Sequence, residues 1–258
     1  MEKITSAQNP LIKKLVRVSS SHSFRKKTNL TLLEGVHLAQ EFLLKFGAPE
    51  ICVVAADSKS PEVQEIVRKC LSKNIRVVEI TSNLFSKISP VVDGIGILFL
   101  TEIPQNASFN PLAETLILDN LQDPGNLGTI LRSAAAFGVE QIICSKGMVS
   151  VWSPKVLRAG MGAHFEIEIF ENCDLKEQIS KLEVPIFATS LEAEKSIFDE
   201  DLKPAKAWIF GNEGKGVSEE LQNLADKKLK IPQNPRIESL NVAMAATVCL
   251  SESYRQRL

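Results

Sequence analysis

Apolar positions in this chain fall into short runs and short helical stripes that alternate along most of its length. Leu30 to Leu33 form one run, which stops at Glu34-Gly35; Val36, Ala39, Leu43 and Phe46 follow at helical spacing. Ile51 to Ala55 is a second run, and Pro61 then opens a helix through Cys70, since proline fits a first helical turn. Arg76 to Ile80 and Gly96 to Leu100 complete the strands of a small α/β unit spanning 1–100. The stretch 101–113 is polar, carries two prolines and reads as a linker.

From 114 to 258 the alternation resumes on a larger scale. Strands are predicted at 115–119, 141–144, 166–170, 185–188, 207–210 and 228–231, and helices at 127–137, 154–161, 175–182, 219–225 and 240–255. Strands alternating with helices predict a mostly parallel sheet covered on both faces. Ligands of such sheets gather beyond the carboxyl ends of the strands. The fold class is therefore α/β, with a smaller unit ahead of a larger one.

Composition adds limits. A chain of 258 residues with 44% hydrophobic content can bury one large core or two modest ones. Apolar runs such as Ile95 to Leu100 are too short to span a bilayer. The start, Met1-Glu2-Lys3-Ile4-Thr5, lacks the apolar core of a signal peptide, so a cytoplasmic protein is expected. Five scattered cysteines without a C-x-x-C pair read as reduced, buried thiols, and the three histidines have no metal spacing, so no metal is expected. The net charge of −1 hides a local excess: residues 1–30 hold seven basic side chains and one acidic one, or +6. Serines and asparagines lie among them. This reads either as a basic arm tracking a phosphate backbone or as a solvated helix face with a loose terminus.

Three polar segments stand at strand ends of the larger unit. The first, Asp119 to Gly128, leads into a helix carrying Arg132 among apolar and small neighbours. Asn126 has the position of a helix cap, which does not exclude a ligand role. Arg132 either presents its fork to a phosphate or is a surface arginine. The second is Ile209-Phe210-Gly211-Asn212-Glu213-Gly214-Lys215-Gly216. It is not a phosphate-binding P-loop by spacing, and Glu213 would repel a triphosphate. Glycines there can bare backbone N–H groups to a ligand or serve a tight turn. The third is Ile231-Pro232 followed by Ser239-Leu240-Asn241 and an alanine-rich helix, with Ser239 placed as an N-cap.

In order and in detail these three segments resemble the motifs of the SpoU (TrmH) family of RNA 2′-O-ribose methyltransferases, in the SPOUT superfamily. Asn126-x-Gly128-x-x-x-Arg132, Gly211-Asn212-Glu213-Gly214-x-Gly216 and Ser239-Leu240-Asn241 carry the likeness over residues 115–258. The first hundred residues, with Leu33-Glu34-Gly35, are similar to that family's L30e-like substrate-binding domain. The resemblance implies a C-terminal α/β knot with a deep trefoil, homodimerisation through the catalytic domain, and S-adenosylmethionine as cofactor. It implies an RNA partner, ribosomal RNA first, met by the N-terminal domain and its basic arm. Gly211, Ile231 and Leu240 would hold the adenosyl part by their backbone, with Asn212, Gly214, Ser239 and Thr189 close by. Arg132, Asn126, Glu213, Ser239 and Asn241 would form the catalytic set, with Ser239 supporting Glu213 or the ligand. Alternatives are a transfer-RNA methyltransferase, a non-catalytic RNA-binding or assembly protein on the same fold, and, more distantly, a nucleotidase.

Overall fold

The computed structural model describes residues 1–89 and 94–258. The chain divides into two units, Met1–Gln105 with Trp152–Phe165, and Asn106–Val151 with Glu166–Leu258. The first unit holds β1 (Glu2–Ile4), α1 (Pro10–Ser20), α2 (His22–Thr28), β2 (Leu30–Glu34), α3 (Val36–Lys45), β3 (Ile51–Ala55), α4 (Pro61–Ser72), β4 (Arg76–Ile80), α5 (Ser82–Ile88) and β5 (Ile97–Glu102). Its sheet has the order β1-β4-β3-β5-β2. The pairs β1–β4 and β4–β3 are parallel, whereas β5 runs antiparallel to both of its neighbours.

The basic first thirty residues are folded, which corrects the reading of an arm or loose terminus. Asn9 accepts a hydrogen bond from Leu11 N at 2.8 Å and so caps α1, with Pro10 in the first turn. Ile12, Leu15 and Val18 recur at helical spacing and pack into the same core as Leu30, Val53 and Ile80. Arg25 is buried, and its guanidinium donates to Val18 O at 2.9 Å. Lys13, Arg17, Lys26 and Lys27 remain exposed, so the positive charge lies on a helical surface.

Residues 101–113 do not form a free tether. β5 continues to Glu102. From Asn106 the chain is bonded into the second unit: Asn106 Oδ1 accepts from Ile169 N at 2.9 Å, and Glu168 Oε2 accepts from Ala107 N at 2.7 Å. Phe109 meets Phe170 edge-on at 5.7 Å between ring centroids.

The chain then passes through β6 (Thr115–Leu118), α6 (Pro124–Ala136) and β7 (Gln141–Ser145) before residues 152–165 return to the first unit. That return, absent from a linear partition at 100 and 114, contains α7 (Pro154–Gly160). Trp152, Val156, Leu157 and Phe165 are buried there. Thr31 Oγ1 donates to Trp152 O at 2.8 Å, and the Phe165 ring lies 5.9 Å from Phe42 and 5.5 Å from Phe46.

The second unit continues with β8 (Glu168–Cys173), α8 (Leu175–Ile179), β9 (Ile186–Thr189), β10 (Ala207–Phe210), α9 (Glu219–Gln222), β11 (Lys227–Leu229) and α10 (Val242–Arg255). Its six strands run in the order β11-β9-β10-β6-β7-β8, and every adjacent pair is parallel. β6, β7 and β10 are wholly buried, as a sheet covered on both faces requires. At the amino ends of β6 and β10, Lys206 and Glu114 form a buried ion pair at 3.1 Å, joined by Arg257 at 3.3 Å. The carboxyl ends of the strands are left to the polar loops. Among the described residues no helix is long and apolar enough to cross a membrane, and no cluster of three or more His, Cys, Asp or Glu is placed to hold a metal ion.

Candidate active site

The loop after β6 sets the first wall. The Asp123 side chain caps α6 by accepting from Asn126 N at 2.7 Å, and Pro124 occupies the first turn. Asn126 is therefore the third residue of the helix rather than its cap, and its amide is released for other partners. The same displacement occurs at α10. Asn241, not Ser239, is the cap: its Oδ1 accepts from Ala243 N at 2.9 Å and from Met244 N at 3.3 Å. Asn241 Nδ2 is left to donate elsewhere.

These two released amides meet the carboxylate of the glycine loop. Asn126 Nδ2 donates to Glu213 Oε1 at 3.3 Å, and Asn241 Nδ2 donates to Asn126 Oδ1 at 2.9 Å. Glu213 also accepts from Asp123 N at 3.0 Å and from Gln122 N at 3.2 Å. Partial burial works against its charge. The N–H groups of Asp123 and of Glu213 itself, the Asn126 amide and the Gln122 N–H outweigh that penalty, so the carboxyl is held below the ordinary glutamate range and is ionised at neutral pH.

Of the two uses expected for the glycines, the tight turn is the one the structure shows. A Cβ on Gly211 would lie 2.1 Å from Gly216 O, so Gly211 is required by the closure of its own loop. Asn212 Oδ1 accepts from Gly214 N at 3.0 Å and Lys215 N at 3.1 Å, and Asn212 O accepts from Gly216 N at 2.8 Å. The N–H groups after Asn212 are thus turned inward and do not form a bare cradle. Asn212 Nδ2 donates to Asn120 O at 2.9 Å, which ties this loop to the one after β6.

Other candidates are placed as follows. Arg132 lies in the third turn of α6, on the exposed face opposite Ile130, Leu131 and Ala134, and makes no hydrogen bond or ion pair with another described residue. Ser239 is exposed and is not among the partners of Glu213. Thr189 ends β9, half-buried and paired with Leu229. The backbones of Gly211, Ile231 and Leu240 enter none of the hydrogen bonds among the described residues. Open N–H and C=O groups on these three segments fit a ligand with a hydrogen-bonding base, such as an adenosyl group, and Ile237 and Leu240 of the third segment are exposed.

The expected set omits Asn120, Gln122 and Ser145. Asn120 has a left-handed backbone (φ 53°), and its N–H donates to Ser145 Oγ at 2.8 Å. An asparagine two residues beyond a buried strand is the available signal, because Asn tolerates this conformation.

Known proteins share this chain's family and fold. The SpoU rRNA Methylase family profile matches residues 114–251, and an MRM3-like substrate binding domain profile matches residues 9–96. An uncharacterized tRNA/rRNA methyltransferase of Synechocystis is 34% identical over 98% of this chain and 94% of its own length. The 23S rRNA (guanosine(2553)-2′-O)-methyltransferase RlmP of Bacillus subtilis is 29% identical over 96% of this chain and 97% of its own. The AdoMet-bound rRNA methyltransferase structure from Sinorhizobium meliloti superposes with a TM-score of 0.86 at 28% identity, covering 100% of this chain and 98% of that one. The match over residues 114–251, together with a relative 34% identical along nearly the whole chain, places this chain in the SpoU rRNA methylase family.

Proposed function

We propose that this protein is an S-adenosylmethionine-dependent RNA methyltransferase that methylates a ribose 2′-hydroxyl of ribosomal RNA. The observation that carries the reading is the Asn126–Glu213–Asn241 junction, which brings all three motifs to the carboxyl edge of the parallel sheet. S-adenosylmethionine, when bound, supplies a methyl group on a cationic sulfonium. The open backbone groups of Gly211, Ile231 and Leu240 hold its adenosyl part. Glu213, ionised and held by backbone N–H groups and the Asn126 amide, keeps negative charge at the edge where a cation would rest. Asn126 and Asn241 fix the distance between the loops, which in-line transfer demands.

Arg132 acts as a cation. A guanidinium is always protonated in proteins, so Arg132 is no general base. It grips the phosphate next to the target ribose and offsets charge that develops on the 2′-oxygen. Its lack of a partner among the described residues supports that use. The exposed Lys13, Arg17, Lys26 and Lys27 of α1 and α2 give the first unit a surface for the RNA backbone. The trefoil knot, the L30e-like character of the first unit, a homodimer formed through the second unit and a cytoplasmic location belong to the same reading. Met244 and Tyr254, apolar and exposed on α10, support the dimer.

The test is incubation with labelled S-adenosylmethionine and separated RNA classes, followed by mapping of the modified ribose. Label in 2′-O-methyl ribose of ribosomal RNA is the expected result. Label confined to transfer RNA would replace the substrate, and label in protein, in DNA or nowhere would overturn the reading.

A further inference from the structure

A fourth loop reaches the site without belonging to any of the three motifs. It follows β7, the strand beside β6, and it is tied to the loop after β6 at three points. Ser145 Oγ accepts from Asn120 N at 2.8 Å, Gly147 O accepts from Gln122 Nε2 at 3.3 Å, and Leu121 O accepts from Val149 N at 2.9 Å. Gln122 is the pivot, because its own N–H donates to Glu213 Oε2 at 3.2 Å. One residue thus touches the Glu213 carboxylate with its backbone and the β7 loop with its side chain. Between the two anchored residues Ser145 and Gly147 stands Lys146. It is exposed and has no hydrogen bond or ion pair with another described residue. Gly147, in a left-handed conformation (φ 78°), turns the chain directly after it.

A lysine flanked by two anchored neighbours, at the carboxyl edge of a parallel sheet and without a carboxylate partner among the described residues, suits a phosphate. We propose that the loop from Ser145 to Val149 is a fourth wall of the reaction site and that Lys146 binds an RNA phosphate near the methylated ribose. This rests on the RNA methyltransferase reading above. A lysine contact to phosphate carries no base information, but it releases a counterion and fixes the register of the strand.

The experiment uses the full chain with a ribosomal RNA substrate. RNA Kd is measured from 50 to 250 mM KCl, and S-adenosylmethionine Kd and single-turnover methylation are measured alongside. Lys146→Ala is expected to weaken RNA binding about 3- to 10-fold at low salt and to lower the slope of log K against log salt by about 0.7–1. S-adenosylmethionine affinity stays as in wild type, and Lys146→Arg restores the slope. Gln122→Ala keeps the N–H that holds Glu213 and loses the side-chain ties to Gly147 O and to Asn120. It is expected to weaken RNA binding, and Lys146→Ala added to it should cost less than in the wild-type background. An unchanged salt slope in Lys146→Ala, while the wild type methylates RNA, overturns this proposal alone. Failure of the wild type to methylate any RNA overturns it together with the reading on which it rests.

Discussion

Asn241 Nδ2 donates to Asn126 Oδ1 over 2.9 Å, across 115 residues of chain. Each of these asparagines sits in the first turn or cap of a helix, and each offers its Nδ2 to the site. The bond joins the first and third motifs, and Asn126 Nδ2 extends it to Glu213 in the second.

Asn126→Ala removes both links at once while leaving the α6 cap on Asp123 intact. A hydrogen bond to an ionised group contributes about 1.5–3 kcal/mol, equivalent to roughly 10- to 100-fold. Single-turnover methylation is expected to fall by that factor. The far-ultraviolet circular dichroism of the variant should match wild type, and near-full turnover would show that the junction is not needed.

Glu213 ties stability to acid. Its folded pKa lies below its unfolded value of about 4.3, so its contribution is complete above that pH and is lost as pH falls through the folded pKa. Urea unfolding at pH 7 should therefore find Glu213→Gln less stable than wild type. The gap should narrow as the pH is taken below about 4. A gap that is constant with pH would assign the difference to packing rather than charge.

Arg132 separates stability from activity. Being exposed and without a partner among the described residues, it can be removed with little effect on folding. Arg132→Ala should change unfolding free energy by no more than about 0.5 kcal/mol, while turnover drops on the order of 100-fold. Arg132→Lys keeps the charge and loses the planar fork, so at least a tenfold loss is expected. If Lys retains near-full turnover, the bidentate role is wrong.

Deleting residues 1–105 leaves Trp152, Val156, Leu157 and Phe165 without the unit in which they are buried. Each such side chain accounts for about 1.5–3 kcal/mol of apolar burial. The truncated chain is expected to self-associate on size exclusion and to bind an apolar dye. Replacing 152–165 with a short Gly/Ser linker should restore a well-behaved fragment; equal behaviour of the two fragments would contradict the assignment of α7 to the first unit.

Much of the fold was legible because buried parallel strands are written as uninterrupted apolar runs. Ala207-Trp208-Ile209-Phe210 and Ile51-Cys52-Val53-Val54-Ala55 are strands with the bounds expected from the sequence. The first thirty residues were obscured by charge: the stripe of Ile12, Leu15 and Val18 is narrow, and lysines between its members made it look solvated. Both helix starts in the site were misplaced for one reason. Asp123-Pro124 and Asn241 outcompete Asn126 and Ser239 as caps, which leaves the Asn126 amide and the Asn241 Nδ2 to bond each other. Glycine permits close approach by a ligand or by the chain itself, and sequence does not say which: here the approaching group is the loop's own Gly216. The β7 loop carries no distinctive residue pattern, and only the bonds from Asn120 and Gln122 attach it to the site.

Asn241 does two jobs with one side chain, and this fixes when the site can exist. Its oxygen starts α10 and its nitrogen closes the junction with Asn126. As the chain leaves the ribosome in the order 126, 213, 241, the first two motifs are made early and wait. A nascent chain that ends before Asn241 has the sheet, the glycine loop and Arg132, yet lacks the amide that locks them together. Premature termination in this stretch also removes the buried face of α10 (Ala243, Ala246, Cys249 and Leu250), so packing of the last helix and completion of the site are a single event.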